Sequence, residues 1–196
     1  KKVACQIAQN PKWKNILGVI GHHSSGSSLA ALDTYAQAGI TMVTPTSTST
    51  ELNQKSGKVF FRTTATNEAF GKILADKIDN LDSKVSVFYE GDNKYAEDLK
   101  KQFINSLVTI QIANENKIDI KNWTNADIST LTIPNNVKAA VIFSSSGDAQ
   151  KHEIAIKLIK KLKSIRPDLN LFGGDSLYKA RTLEEGKTDI EGLKLV

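Results

Sequence analysis

Two hydroxyl-rich stretches carry the chemistry that this sequence offers. The first, GVIGHHSSGSSLAALDTYA (Gly18 to Ala36), passes from an apolar run through Ser24, Ser25, Ser27 and Ser28 into an amphipathic one, with Gly21 and Gly26 separated by four residues. A phosphate-binding loop has that glycine spacing between a strand and a helix. Here the lysine that would reach the outer phosphates is absent: Ser27 stands in its place, and only Ser28 matches the magnesium-binding hydroxyl. A nucleophile elbow fails too, because His23 and Ser25 occupy the positions where G-x-S-x-G, counted from Gly21, needs serine and glycine. His22 and His23 have no third His, Asp or Glu at ligand spacing, so no metal site is expected. What remains is a neutral loop at a helix N-terminus, where unpaired N–H groups and the dipole favour an anion. A small carboxylate suits such a loop, and simple N-capping by serine is the competing use of the same residues.

A second polar segment, MVTPTSTSTEL, places Thr46, Ser47, Thr48, Ser49 and Thr50 just after a strand. Loops at the carboxyl ends of neighbouring parallel strands converge on one crevice. The elements that must position both loops are legible as alternating patterns. ILGVI, TMVTP, VFFRT, KVSVFYE, IQIANE, KAAVIFS, LNLFG and EGLKLV read as strands. Between them apolar residues at helical spacing predict helices over Ser27–Ala38, Asn67–Leu81, Tyr95–Leu107, Ile128–Leu131, Ala149–Ser164 and Tyr178–Glu185, and KKVACQIAQNPKWKN reads as an opening helix. Strand followed by helix, repeated, predicts an α/β fold with a mainly parallel sheet covered on both faces.

A chain of 196 residues with 40% apolar content can bury a real core. No apolar run approaches the roughly 18 residues of a membrane helix. Cys5 is the one cysteine, which excludes an internal disulfide and any cysteine-based zinc cluster. The net charge of +5 comes from scattered lysines. Their densest group, KHEIAIKLIKKLKSIRP, places Lys157, Lys160, Lys161 and Lys163 on the solvent faces of a helix without aromatic residues to stack bases, so nucleic acid is not an expected partner.

The segment GVIGHHSSGSSLAALDTYAQAGITMVTPTSTSTELNQKSGKVFFRTTATNEAFG resembles the type 1 periplasmic binding proteins, specifically the branched-chain amino-acid receptors of ABC transporters. The pattern Gly-His-x-x-Ser followed by Pro-x-x-Thr-x-x-Glu-Leu carries the likeness, and VSVFYEGDNKYAEDLKKQF, PDLNLFGGDSLY and EGLKLV continue it. The resemblance implies two lobes that close on a ligand. It makes residues 1–66 a partial N-terminal lobe and residues 67–196 a near-complete second lobe ending at a hinge crossing, within a piece of a longer protein.

By resemblance the ligand is an amino acid or similar small zwitterion. Ser25 would hold its carboxylate together with Ser47, Ser49 or the intervening Thr48, while Tyr95 reaches it from the other lobe and Asp175 faces its ammonium. Catalytic residues and cofactors are not implied. The implied partner is a membrane permease or a signalling module, and the implied location is periplasmic or extracellular. In FSSSGDA this chain has Ser145 and Ser146 where the family often places an aromatic residue. Four alternatives remain open: a hydrolase using a serine near His22 or His23, a flavodoxin-like cofactor protein, a sensor domain of the same fold joined to a signalling protein, and a pure interaction module whose serine loops serve only as helix caps.

Overall fold

The computed structural model describes residues 1–55, 57–81, 83–118, 125–145 and 149–196. Its elements run in the order α1 (Lys2–Gln9), β1 (Gly18–Ile20), α2 (Ser25–Ala38), β2 (Thr41–Thr44), α3 (Glu51–Lys55), β3 (Phe60–Arg62), α4 (Asn67–Asp79), β4 (Lys84–Glu90), α5 (Lys94–Ser106), β5 (Ile112–Ile118), α6 (Asn125–Ser129), β6 (Val137–Phe143), α7 (Ala149–Ile165), β7 (Asn170–Gly173), α8 (Ala180–Gly186) and β8 (Lys194–Leu195). The chain divides into two compact units, Lys1–Ala69 and Phe70–Val196.

Unit 1 holds a parallel three-stranded sheet in the order β1-β2-β3. Its core is Ala31, Leu32, Tyr35, Met42, Leu52 and Phe60, joined by Ala4 of α1. Ile20 is 88% exposed and Phe61 is 56% exposed, so these strands do not bury all of their apolar positions. The opening helix is shorter than its apolar pattern predicts. Asn10 is extended at φ −79°, ψ 123°, the conformation favoured before a proline, and Pro11 begins a separate single turn instead of prolonging α1.

Helix α2 begins two residues earlier than periodicity predicts, because Ser24, extended at φ −117°, ψ 148°, accepts the Ser27 N–H. It ends at Gly39, whose φ of 67° needs a residue tolerant of the left-handed region, and the Gly39 N–H returns to Ala36 and Tyr35 carbonyls. Helix α3 is absent from the sequence reading, since five residues are too few to show periodicity.

Unit 2 holds a parallel five-stranded sheet in the order β5-β4-β6-β7-β8. Both faces are covered, which explains the continuous apolar runs of β4 and β6. Phe88, Ile142 and Leu171 pack on one face with Leu158 and Leu162 of α7. Val85, Val87, Val141, Phe143 and Phe172 pack on the other with Leu74 of α4 and Leu99 and Phe103 of α5. Gly71 permits the close approach of α4 and α5: a Cβ there would lie 2.6 Å from the Phe103 nitrogen. Helix α6 lies three residues before its expected start, and the turn from Leu131 N–H to Ile128 O follows it. The crevice that such a sheet offers lies at the carboxyl ends of β4 and β6, where the strand order reverses.

Asp79, at the end of α4, fastens the turn into β5. Its carboxylate accepts the N–H groups of Val108 (2.9 Å), Thr109 (3.1 Å) and Ile110 (3.0 Å) and the Thr109 hydroxyl (3.1 Å). Desolvation works against the charge, but these bonds outweigh it and hold the Asp79 carboxyl below its ordinary pKa. A depressed folded-state pKa stabilises above the unfolded value of about 3.9 and ceases to do so as the pH falls through the folded one. Asp79→Asn is therefore expected to lower the urea midpoint at pH 7, with the difference from the parent shrinking as the pH drops below about 4. Urea titrations across that range check it, and a pH-independent difference would contradict it.

Candidate functional site

In unit 1 the loops after β1 and β2 meet through a closed ring of hydrogen bonds. The His22 N–H donates to Ser28 Oγ (3.3 Å), Ser28 and Ser47 hydroxyls share a 2.7 Å bond, and Ser47 Oγ donates to the His22 carbonyl (2.9 Å). The proton count closes if Ser28 donates to Ser47, so every hydroxyl in the ring gives once and accepts once. Thr44 Oγ1 adds a second donor to the same carbonyl at 2.9 Å and accepts the Ser47 N–H at 3.1 Å. The His22 ring stacks on Tyr35 with centroids 5.8 Å apart, and its Nε2 faces the Tyr35 hydroxyl at 3.3 Å. Burial lowers its pKa below the ordinary histidine value. Nε2, one of the two ring nitrogens that a hydrolytic serine could use as a base, is turned to a tyrosine.

The second loop is gripped from behind. Arg62, at the end of β3, donates Nη1 to the Ser47 carbonyl (3.1 Å) and Nη2 to the Ser49 carbonyl (3.0 Å). The intervening Thr48 carbonyl accepts the Asn67 N–H at 2.8 Å. The Ser49 N–H donates to Ser25 Oγ at 3.2 Å, and Ser49 Oγ accepts the Glu51 N–H at 3.3 Å, the first turn of α3.

The four hydroxyl residues expected at the site are thus brought together, but they are not equivalent. Ser25, Ser47, Thr48 and Ser49 are all buried. Ser47 has its N–H, carbonyl and hydroxyl engaged inside the unit, whereas Thr48 Oγ1 has no hydrogen-bond partner. Among the described residues the Thr48 N–H has none either, nor do the first two amides of α2, those of Ser25 and Gly26. A buried hydroxyl without a partner costs about 1–3 kcal/mol, so such groups point to a function or to something that completes them. The arrangement can offer neutral donors to a carboxylate.

Unit 2 brings together the other two expected residues. Tyr95, on the first turn of α5, donates its hydroxyl to Asp175 Oδ1 at 2.6 Å, and the Ser176 N–H lies 3.5 Å from the same hydroxyl. Burial first, and then the neighbouring Asp175 charge, pushes the Tyr95 phenol well above its ordinary pKa. Burial also raises the Asp175 carboxyl, although the Tyr95 bond and backbone N–H groups oppose it. The phenol therefore stays protonated and donates a hydrogen bond to Asp175. Asp175 opens a short 3-10 turn, Asp175–Leu177, and the cap position of α8 belongs to Lys179. Gly174 makes the pairing possible, because a Cβ at this position would collide with the Tyr95 hydroxyl. A cation placed at Asp175 would offset its desolvation.

Sequence reasoning passed over Glu90 and Asn93, which brace this region. Asn93 Oδ1 accepts the N–H groups of Tyr95 and Ala96, each at 3.0 Å. That cap fixes the amide orientation, so Asn93 Nδ2 must donate to Glu90 Oε1 (3.0 Å). The Ser145 N–H donates to the other oxygen, Oε2, at 2.7 Å. Ser176 Oγ in turn donates to the Ser144 carbonyl, linking the ends of β6 and β7. Ser146, expected beside Ser145 near the ligand, lies outside the described residues.

No family model matches the chain, and no curated protein matches it by sequence. Solved structures do share its fold. The chain is similar to the branched-chain amino acid transporter substrate-binding protein LivJ of Streptococcus pneumoniae at 18% identity, TM-score 0.78, covering 99% of this chain and 53% of that one. It is similar to the leucine-binding protein LivK of Thermotoga maritima at 22% identity, TM-score 0.80, with 99% and 53% covered. An ABC-transporter substrate-binding protein of Desulfitobacterium hafniense in complex with Leu gives 23% identity and TM-score 0.66, with 89% and 50% covered. The chain spans about half the length of these structures. Its fold is that of the type 1 periplasmic binding proteins, with parallel sheets flanked by helices.

Glu90 supplies the test of the bracing network. Both of its oxygens face donors of fixed direction, so a glutamine must turn its own NH₂ toward one of them. Glu90→Gln is expected to destabilise the protein by about 1–3 kcal/mol, the cost of a buried donor left unpaired. Chemical denaturation measures it, and an unchanged midpoint would contradict the donor assignment.

Proposed function

We propose that this chain is part of the binding region of a non-catalytic solute receptor whose ligand is an amino acid or similar small zwitterion. Unit 1 takes the carboxylate on Thr48, Ser25 and the first amides of α2, with Ser49 and Ser47 shaping the loop. Unit 2 takes the ammonium on Asp175, with Tyr95 orienting that carboxylate. The observation that carries this reading is Thr48, a buried residue whose hydroxyl, like the first amides of α2, has no partner among the described residues. Neutral donors can hold a carboxylate without a side-chain cation that would itself need desolvation.

Two of the similar structures were solved with isoleucine or Leu, which supports the choice of ligand class. Residues near 62–67 serve as a hinge in this reading, separating a lobe of residues 1–66 from one of residues 67–196. Binding then shifts the receptor toward a closed state recognised by a membrane permease, in a periplasmic or extracellular setting. A signalling module fused to the same fold would use the same ligand chemistry.

Thermal-shift measurement of the full-length protein against the twenty amino acids tests the reading directly. A ligand at 100 times its Kd stabilises the folded state by about 2.7 kcal/mol, a readily measured rise in Tm. No rise with any of the twenty would overturn it.

Thr48→Val separates a ligand-binding hydroxyl from a structural one. Removing a buried hydroxyl that has no partner should leave the unliganded protein at least as stable. Removing a bond to a charged carboxylate should weaken binding by about 1.5–3 kcal/mol, roughly ten- to a hundredfold. Asp175→Ala should weaken amino acids while leaving ligands without an ammonium unaffected. Isothermal titration checks both, and equal affinity of parent and variant removes that residue from the site.

A further inference from the structure

We propose that Arg62 is the positioning residue of the Ser47–Ser49 loop, acting on the ligand through Thr48 without touching it; the proposal rests on the reading that this loop receives a carboxylate. The geometry is specific to a guanidinium. Its two terminal nitrogens meet the carbonyls on either side of Thr48, those of Ser47 and Ser49, at 3.1 and 3.0 Å. Nη2 also meets Asn53 Oδ1 at 2.5 Å, which ties the fork to α3, and the guanidinium carbon lies 5.1 Å from the centre of the Phe60 ring. A planar fork can bridge two carbonyls and lie against an aromatic ring, which the compact ammonium of a lysine cannot do with one geometry.

Two consequences follow for Thr48. First, the carbonyls of Ser47, Thr48 and Ser49 all turn toward protein partners, Arg62 and the Asn67 N–H, so the unused polar groups of Thr48 are its N–H and its hydroxyl. Without the fork, the two outer carbonyls would need other donors and the loop would lose the constraint that keeps those groups in place. Second, a peptide whose carbonyl is bonded to a cation is a stronger donor at its own N–H. The peptide joining Ser47 to Thr48 is one of these, so the Arg62 charge is relayed to the Thr48 N–H. Arg62 thus lends positive character to a site lined by neutral groups, and the cation itself stays behind the loop.

The test uses the full-length protein with Arg62→Met and Arg62→Lys, the latter keeping the charge and guarding against a loss of folding. Two readouts are taken: titration with L-leucine and L-isoleucine, and amide hydrogen exchange at Thr48, Ser49 and Thr50 compared with β4 and β6 without ligand. Both variants should bind at least tenfold more weakly, with exchange accelerated at residues 48–50 and unchanged in β4 and β6. Restoration of binding to within twofold by lysine would overturn the fork and leave charge alone. Unchanged exchange at residues 48–50 in both variants would overturn the proposal outright. If the parent protein binds neither amino acid, the carboxylate reading fails for these ligands, while the exchange rates still decide whether Arg62 holds the loop.

Discussion

Buried backbone carbonyls must find donors, and the two loops of unit 1 are organised around that requirement. The His22 carbonyl draws in Thr44 and Ser47, each at 2.9 Å, and so joins the ends of β1 and β2. Arg62 and the Asn67 amide take the next three carbonyls, Ser47 to Ser49. Once those groups are satisfied, the remaining capacity for hydrogen bonding is concentrated at Thr48 and at the start of α2. The candidate site is what the internal bonding leaves over.

Unit 2 meets the converse requirement, that buried donors find acceptors, and it does so with carboxylates. Glu90 at the end of β4 receives donors from the α5 cap and from the segment after β6. Asp175 after β7 accepts a hydrogen bond from the Tyr95 hydroxyl. Both acids stand at carboxyl ends of strands, the side on which doubly wound sheets place ligands. Their roles differ because their donors differ. Glu90 is held on both oxygens by groups of fixed direction, whereas Asp175 is partly exposed and its carboxyl is raised by desolvation.

The two units offer different chemistries. A neutral, donor-rich loop suits a carboxylate, and a desolvated acid suits an ammonium. Among the described residues of unit 1, His22 Nε2 faces the Tyr35 hydroxyl, and the Ser28 and Ser47 hydroxyls bond to one another and to the His22 carbonyl.

Sequence alone determined the strand and helix alternation, because periodic burial is written in the order of apolar residues. The strands Lys84–Glu90 and Val137–Phe143 and the helix from Ala149 were legible to within a residue at most of their ends. It also marked the hydroxyl-rich loops and, through resemblance, Tyr95 and Asp175. It could not rank Ser25, Ser47, Thr48 and Ser49, since a hydroxyl both donates and accepts and its partner depends on which strands become neighbours. Only the tertiary structure decided that Ser47 closes a ring with His22 and Ser28 while the Thr48 hydroxyl has no partner among the described residues. Arg62, Glu90 and Gly174 were invisible for the same reason. Each acts through a group distant in the chain, and a single sequence has no term for the distance between them.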